Sequence, residues 1–301
     1  MYAVEPREYL APVTLDDALS AIARSDRVNG STLGVLAGGQ SLVPLLRSRQ
    51  HEVDILVDLN RIAELGGIEP ARDAHDRSLR LGAMVRYREL ADSPDVRERF
   101  TALSDAALSV GDVQVRNRGT LGGSLAFADT TADVPAAVAA LRGDVILASR
   151  ERRRRVPVDD FIRSARTTVL EPGELIAEVL LPEPAARSGS AYTKFGITAN
   201  GRPVVGVAAA VALDDAGTCT DASVVVSGLR TGPWRATTAQ ARLVGGRLDP
   251  EAVAQIAQAT ATEAPVHTDM RGSAEYRRAL IAVYLRRAVL SAAVRASGGG
   301  K

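Results

Sequence analysis

The sequence predicts an α+β protein: a mixed α/β N-terminal part, then a separate C-terminal domain of small antiparallel sheet plus helices. Three observations predict it. Short apolar runs alternate with amphipathic stretches of helical period through the first part, and two glycine pairs interrupt them. The composition changes at Leu181, Pro182, Glu183 and Pro184. Beyond that point, strand-like runs at residues 204–213 and 222–229 precede helical stretches at residues 251–262 and 276–296.

The elements follow in order. Thr14 and Asp17 stand at capping-box spacing, with Thr14 set to accept from the backbone and Asp17 to reach back. The helix predicted over residues 15–24 puts Leu15, Ala18, Leu19 and Ile22 on one face. Residues 33–37 read as a strand ending in Gly38 and Gly39, residues 41–46 as a short helix and residues 54–59 as a strand. Residues 79–83 are a further strand, followed by helices over residues 87–91 and 101–109. Residues 116–124 bring a second glycine-rich turn, residues 132–141 a helix and residues 144–148 a strand. Arg152 to Arg155 read as a solvated strand or loop surface. Residues 297–301 are expected to be a disordered tail.

Composition narrows the function. With 37 basic and 36 acidic residues, the formal net charge of +1 gives no pull toward nucleic acid or an anionic membrane. No apolar run reaches the roughly 18 residues of a membrane span, and the first residues carry charge where a signal peptide is apolar. A cytoplasmic protein is the expectation. The single cysteine, Cys219, excludes an intrachain disulfide and any cysteine-ligated zinc or iron–sulfur cluster built from this chain alone. His51, His75 and His267 are scattered and do not continue into a zinc motif.

Chemistry concentrates at Gly38-Gly39 and Gly122-Gly123, followed closely by Ser41 and Ser124. Paired glycines permit positive φ and close approach of a ligand to the amides. Amides turned to one side form a nest for anions such as a diphosphate, and two such loops could clamp one diphosphate. The same pairs also read as plain tight turns. No dinucleotide fingerprint, phosphate-binding P-loop or nucleophile elbow is present. Spacing alone therefore reaches a phosphate-containing ligand and stops.

Longer motifs go further. Residues 36–43 (Leu36, Ala37, Gly38, Gly39, Gln40, Ser41, Leu42, Val43) and residues 113–126, with Thr120, Leu121, Gly122, Gly123 and Ser124 at their heart, resemble two FAD-clamping loops. They are those of the molybdopterin dehydrogenase flavoprotein family. That family includes the medium subunit of carbon monoxide dehydrogenase and the FAD domain of xanthine dehydrogenase. The likeness continues through Ala128, Asp129, Asp133 and Pro135, through residues 174–182, through Ala191, Tyr192 and Lys194, and through residues 272–277. It covers nearly the whole chain.

The resemblance implies two FAD-binding subdomains of the PCMH type, about residues 1–55 and 56–178, then a C-terminal domain over residues 179–296. It implies that the two loops wrap the FAD diphosphate and ribityl chain through amides and hydroxyls. Asp133 would bond a polar part of the cofactor, Ile176 would lie toward the flavin end, and Lys194 would place a cation near the ring. Tyr192 reads as packing. FAD would be held without a covalent bond, since the first loop offers Gln40 and neither loop a histidine or cysteine. The resemblance further implies a small [2Fe-2S] subunit and a large molybdopterin-binding subunit, as a dimer of heterotrimers. Electrons would pass from the clusters to FAD and on to an external acceptor. A stand-alone flavin oxidoreductase and a flavin-free scaffold subunit are the alternatives. This chain departs from the family at Gln40, where many relatives have histidine, at Thr130, where proline is common, and at Gly201-Arg202-Pro203.

Overall fold

A computed structural model describes residues 6–25, 32–71, 77–198 and 201–298. His75 and residues 299–301 of the expected tail lie outside the described residues. Three sheets each carry their own core.

The first unit comprises β1 (Glu8–Leu10), α1 (Leu15–Ser25), β2 (Leu33–Leu36), α2 (Leu42–Arg47) and β3 (Ile55–Asp58). Its strands run in the order β1-β3-β2, all parallel. The predicted face of α1 is buried: Leu15, Ala18, Leu19 and Ile22 pack in one core with Ile55 and Val57. At its start the Asp17 amide donates to Thr14 Oγ1 at 3.1 Å. The Asp17 carboxylate accepts from the Thr14 hydroxyl at 2.7 Å rather than from the expected backbone amide. Aspartate is one methylene shorter than the glutamate of a full capping box.

The second unit opens with β4 (Ile68–Pro70) and β5 (Leu79–Gly82). A run of helices follows: α3 (Tyr87–Asp92), α4 (Pro94–Arg99), α5 (Thr101–Ser109), α6 (Val113–Arg118), α7 (Leu121–Phe127) and α8 (Asp133–Ala140). Then come β6 (Asp144–Ala148), β7 (Arg153–Pro157), α9 (Val158–Phe161), the small hairpin β8 (Ile162–Ser164) and β9 (Thr167–Thr168), and β10 (Leu175–Leu181). The antiparallel order β4-β5-β10-β6-β7 puts β10, last in sequence, at the centre. Arg153 to Arg155 of the arginine run open the edge strand β7, where Arg154 pairs with Glu174 and Arg155 with Asp144.

One correction concerns residues 116–124. They form no loop but the end of α6, a short link and the start of α7. Asp112 caps α6 by accepting from the Val115 amide at 2.9 Å, and Thr120 caps α7 by accepting from Gly123 at 3.1 Å. The Thr120 cap offsets part of the roughly 1 kcal/mol helix cost of each glycine in α7, and the burial of Leu121 and Leu125 holds the helix in place.

The third unit is the antiparallel sheet β11 (Ser188–Gly196), β12 (Pro203–Leu213), β13 (Cys219–Ser227) and β14 (Trp234–Arg235), in that order. Helices α10 (Thr237–Leu243), α11 (Pro250–Glu263) and α12 (Ala274–Ala296) complete it. The period-two alternation of strands divides its residues between two cores. Ala191, Val207 and Val224 face the third unit's own helices, whereas Tyr192, Ala208 and Val225 join the second unit's core. Arg295 and Asp105 fasten the two units at 2.6 Å, as does the Arg142–Asp221 pair. The fully buried Arg277 donates to the carbonyls of Val204 and Gly228 and to Asp269, at 2.6, 3.0 and 2.7 Å.

Candidate functional site

A cleft of about 700 Å³ lies between the first and second units, with Gly201 and Arg202 of the third at its rim. That volume falls within the roughly 300–1,000 Å³ usual for small-molecule sites.

Strand β2 delivers the first glycine loop to one wall. Ala37, Gly38, Gly39, Gln40, Ser41 and Leu42 all line the cleft. Leu36 and Val43 do not; they pack behind Gly39, whose Cβ position is 3.1 Å from Val43 Cγ2 and 3.4 Å from Leu36 Cδ1. Gly39 takes φ 73°, where glycine is favoured. Among the described residues, the amides of residues 38–42 have no partner within the protein, while Val43 and Leu45 donate back to Gly39 and Ser41. A run of free amides of this kind is an anion nest.

The second loop is built differently. Thr120, Gly122, Gly123 and Ser124 line the cleft, but Leu121 is wholly buried. Leu121 and Gly122 donate to Val85 and Ala83, Gly123 to the Thr120 hydroxyl and Ser124 to the Thr120 carbonyl. These amides are engaged, so the donors expected here for a diphosphate are not free. Gly122 and Gly123 also keep helical geometry without positive φ. Their missing side chains serve packing: a Cβ on Gly122 would stand 2.6 Å from Ala83 Cβ.

The two loops touch. A Cβ on Gly38 would stand 2.1 Å from Arg118 O, and one on Gly123 would stand 3.3 Å from Ala37 Cβ. A polar clamp holds this junction: Asn60 Nδ2 donates to Ala37 O at 2.9 Å, and Arg86 donates to Asn60 Oδ1 and to Arg118 O. Burial lowers the Arg86 pKa from its ordinary value, with the Arg118 charge adding to the shift. Sequence reasoning missed Asn60 and Arg86, because nothing local marks residues that act across 26 positions. Tyr87 also lines the cleft; burial pushes its phenol up to about 12, against a hydrogen bond with Ser124.

Asp133 and Ile176 line the cleft, whereas Lys194 does not. Lys194 Nζ donates to Ser109 O at 2.5 Å, to Gly201 O at 3.1 Å and to Asp133 Oδ2 at 3.3 Å. Its three N–H groups are thereby used inside the protein. The buried Tyr192 hydroxyl donates to Asp133 Oδ1 at 2.6 Å. Burial raises the Asp133 pKa, against the opposing pull of Lys194 and Tyr192. His51 lines the mouth of the cleft and is exposed, and Cys219 is buried at the start of β13.

The cleft thus combines the free amides of the first loop with apolar lining residues such as Leu33, Val35, Leu170 and Ile176. This fits a ligand with an anionic diphosphate and flat ring systems that pack their faces on apolar side chains, as FAD is. Residues 3–184 match the FAD binding domain in molybdopterin dehydrogenase, and residues 190–292 the CO dehydrogenase flavoprotein C-terminal domain. The chain is 32% identical to the 6-hydroxypseudooxynicotine dehydrogenase complex subunit alpha of Paenarthrobacter nicotinovorans, over 96% of this chain and 95% of that one. It is also 32% identical to the carbon monoxide dehydrogenase medium chain of Hydrogenophaga pseudoflava, over 96% of this chain and 98% of that one. A solved carbon monoxide dehydrogenase structure from the same organism superposes with a TM-score of 0.89 at 33% identity, covering 98% of this chain and 99% of that one. Quinoline 2-oxidoreductase from Pseudomonas putida 86 superposes with a TM-score of 0.88 at 30% identity, covering 99% of each chain. Cleft, motifs and whole-length similarity agree, and the chain belongs to the molybdopterin dehydrogenase flavoprotein family, with an N-terminal FAD-binding domain and a C-terminal flavoprotein domain.

Proposed function

We propose that this chain is the FAD-carrying medium subunit of a heteromeric molybdenum hydroxylase and relays electrons from a partner to an external acceptor. The observation that carries the reading is the run of free amides at residues 38–42, facing a cleft at the junction of two subdomains. Those amides hold the cofactor's diphosphate. The second loop buttresses them, and Gly123 and Ser124 give the ligand a close surface. Ile176 packs toward the flavin end, and Asp133, fixed by Tyr192 and Lys194, closes the cleft wall. FAD, when bound, supplies two-electron acceptance and return.

One cysteine cannot ligate a [2Fe-2S] cluster, so the clusters that feed the flavin belong to another chain. Relatives named as a complex subunit and as a medium chain support further subunits as partners; in this reading they are a small [2Fe-2S] subunit and a large molybdopterin-binding subunit, in a dimer of heterotrimers. No described helix is long and apolar enough to cross a membrane, and the assembly works in the cytoplasm. The test is direct. The purified protein should be yellow, should co-purify with two further chains, and should release all its flavin into the supernatant on acid precipitation. Flavin fluorescence that stays with the polypeptide on a denaturing gel would refute non-covalent binding. A colourless chain that takes up no added FAD would refute the function.

A further inference from the structure

Two arginines line the cleft, Arg166 and Arg202. Arg202 is already paired, its Nη1 donating to Asp129 Oδ2 at 2.6 Å. Arg166 has no carboxylate partner among the described residues. Its guanidinium instead lies 5.2 Å from the ring centroid of Phe127, which also lines the cleft.

The backbone beneath it is strained in an ordered way. Arg166 has φ 56° and Ala128 has φ 48°, two of the four non-glycine residues with positive φ among the described residues. The pair is joined directly, since the Arg166 amide donates to Ala128 O at 2.9 Å. Side-chain-bearing residues occupy this region only at a steric cost. Such strain persists where the surroundings over-determine it, and it concentrates at ligand clamps. Here the β8–β9 hairpin, which has Arg166 in its turn, is docked on the last residue of the α7 cap. The result is a guanidinium laid on an aromatic face at the edge of the cleft, its charge unmatched.

That position is distinct from the amide nest. Helix α7 starts beside the first loop, where Gly123 meets Ala37, and reaches Phe127 four residues on. At 1.5 Å per residue this is about 6 Å along the axis. Gly38, which opens the nest, is buried, and Arg166 is exposed, so its guanidinium is open to a molecule arriving from solvent.

We propose that Arg166 anchors the phosphate of an external electron acceptor of the nicotinamide dinucleotide class at the mouth of the FAD-loaded cleft. This rests on the reading that the cleft holds FAD. A planar guanidinium grips phosphate oxygens bidentately, and stacking on Phe127 orders it before the ligand arrives. Binding then loses little side-chain freedom. An uncharged quinone would gain nothing from this arrangement.

The experiment uses the FAD-loaded full chain and ADP-ribose as the probe, with affinity measured by calorimetry and flavin content by visible absorbance on the same samples. Wild type, Arg166→Gln and Arg166→Lys are compared at low and high salt. ADP-ribose should bind wild type, about tenfold or more weaker to Arg166→Gln, and with intermediate affinity to Arg166→Lys. Added salt should erode the wild-type affinity. Flavin content should stay equal throughout. Equal affinity in wild type and Arg166→Gln, or no binding to wild type at millimolar probe, overturns the proposal. Loss of flavin in Arg166→Gln also overturns it, by moving Arg166 into the cofactor site. A wild-type chain that binds no FAD sinks the cofactor reading and this proposal together; a yellow chain indifferent to Arg166 sinks only this one.

Discussion

The loops that carry Gly38-Gly39 and Gly122-Gly123 touch beside the cleft, and the backbones of the two pairs are used in opposite ways. At the first pair, Gly39 turns to positive φ and the amides of residues 38–42 are left without partners among the described residues. At the second, both glycines are helical and the amides of residues 121–124 are bonded within the protein. The first pair therefore has binding capacity to offer, while the second supports it by allowing close packing. The contrast teaches that a glycine pair reports two separable properties, conformational freedom and the absence of a Cβ.

The sharpest way to break this comparison is Gly38→Val. Its Cβ would meet backbone on the opposite loop, 2.1 Å from Arg118 O and 2.9 Å from Gly119 Cα. Backbone cannot swing aside as a flexible side chain can. A loss of roughly 3 kcal/mol in unfolding free energy is expected, together with loss of FAD. Thermal unfolding and the flavin-to-protein ratio measure both. Wild-type flavin content would show that the loops need not touch.

Two milder variants should separate the loops by what they damage. Gly39→Ala imposes a side chain at φ 73°, at a cost of about 1 kcal/mol, and deforms the nest itself. FAD affinity should fall about tenfold, as for the loss of one charge-assisted hydrogen bond. Thr120→Ala removes the cap of α7, also worth about 1 kcal/mol, yet touches no free donor. Stability should drop while FAD affinity, titrated below the melting transition, stays unchanged. If Thr120→Ala lost flavin as readily as Gly39→Ala, the division of labour would be wrong.

The effect absent at neutral pH is that of Tyr87. Tyr87, behind the second loop, has a phenol pKa raised from 10.0 to about 12. The folded state keeps the proton that the unfolded chain gives up. The stabilising contribution is complete below pH 10 and is lost as pH rises through 12. Between those values each pH unit should cost wild type about 1 kcal/mol more than Tyr87→Phe. Parallel denaturation curves for the two proteins over that range would remove Tyr87 from the account.

Local pattern carried much of the architecture. The buried face of α1, the limits of α5 and β6, and the apolar strands β3, β5 and β12 are written in short-range periodicity. The long motifs around both glycine pairs identified the family, because they preserve a whole loop rather than a dipeptide. Other features could not be read that way. Strand β11, which holds Ser188, Gly189 and Ser190, has little strand character of its own and is made a strand by β12 beside it. Strand β10 lies between β5 and β6, although it follows both by tens of residues. Residues 116–124 looked like a loop because glycine is read as a breaker, until caps from Asp112 and Thr120 made them helical.

The site divides along the same line. Sequence by itself determined much of the cleft lining, since the motifs carry Gly38, Gly39, Ser41, Gly123, Ser124 and Asp133 with them, although Leu36, Val43, Leu121 and Lys194 of the same motifs lie off the cleft. Tertiary structure alone decided which of their polar groups remain free. Lys194 was expected to present a cation to the ring, and the fold ties it to Ser109, Gly201 and Asp133. Arg166, unremarked in the sequence, lines the cleft without a carboxylate partner among the described residues. The reason is physical: a residue's type fixes how many hydrogen bonds and how much charge it can offer. Partners brought close by folding, often from far along the chain, determine how much of that is still available to a ligand.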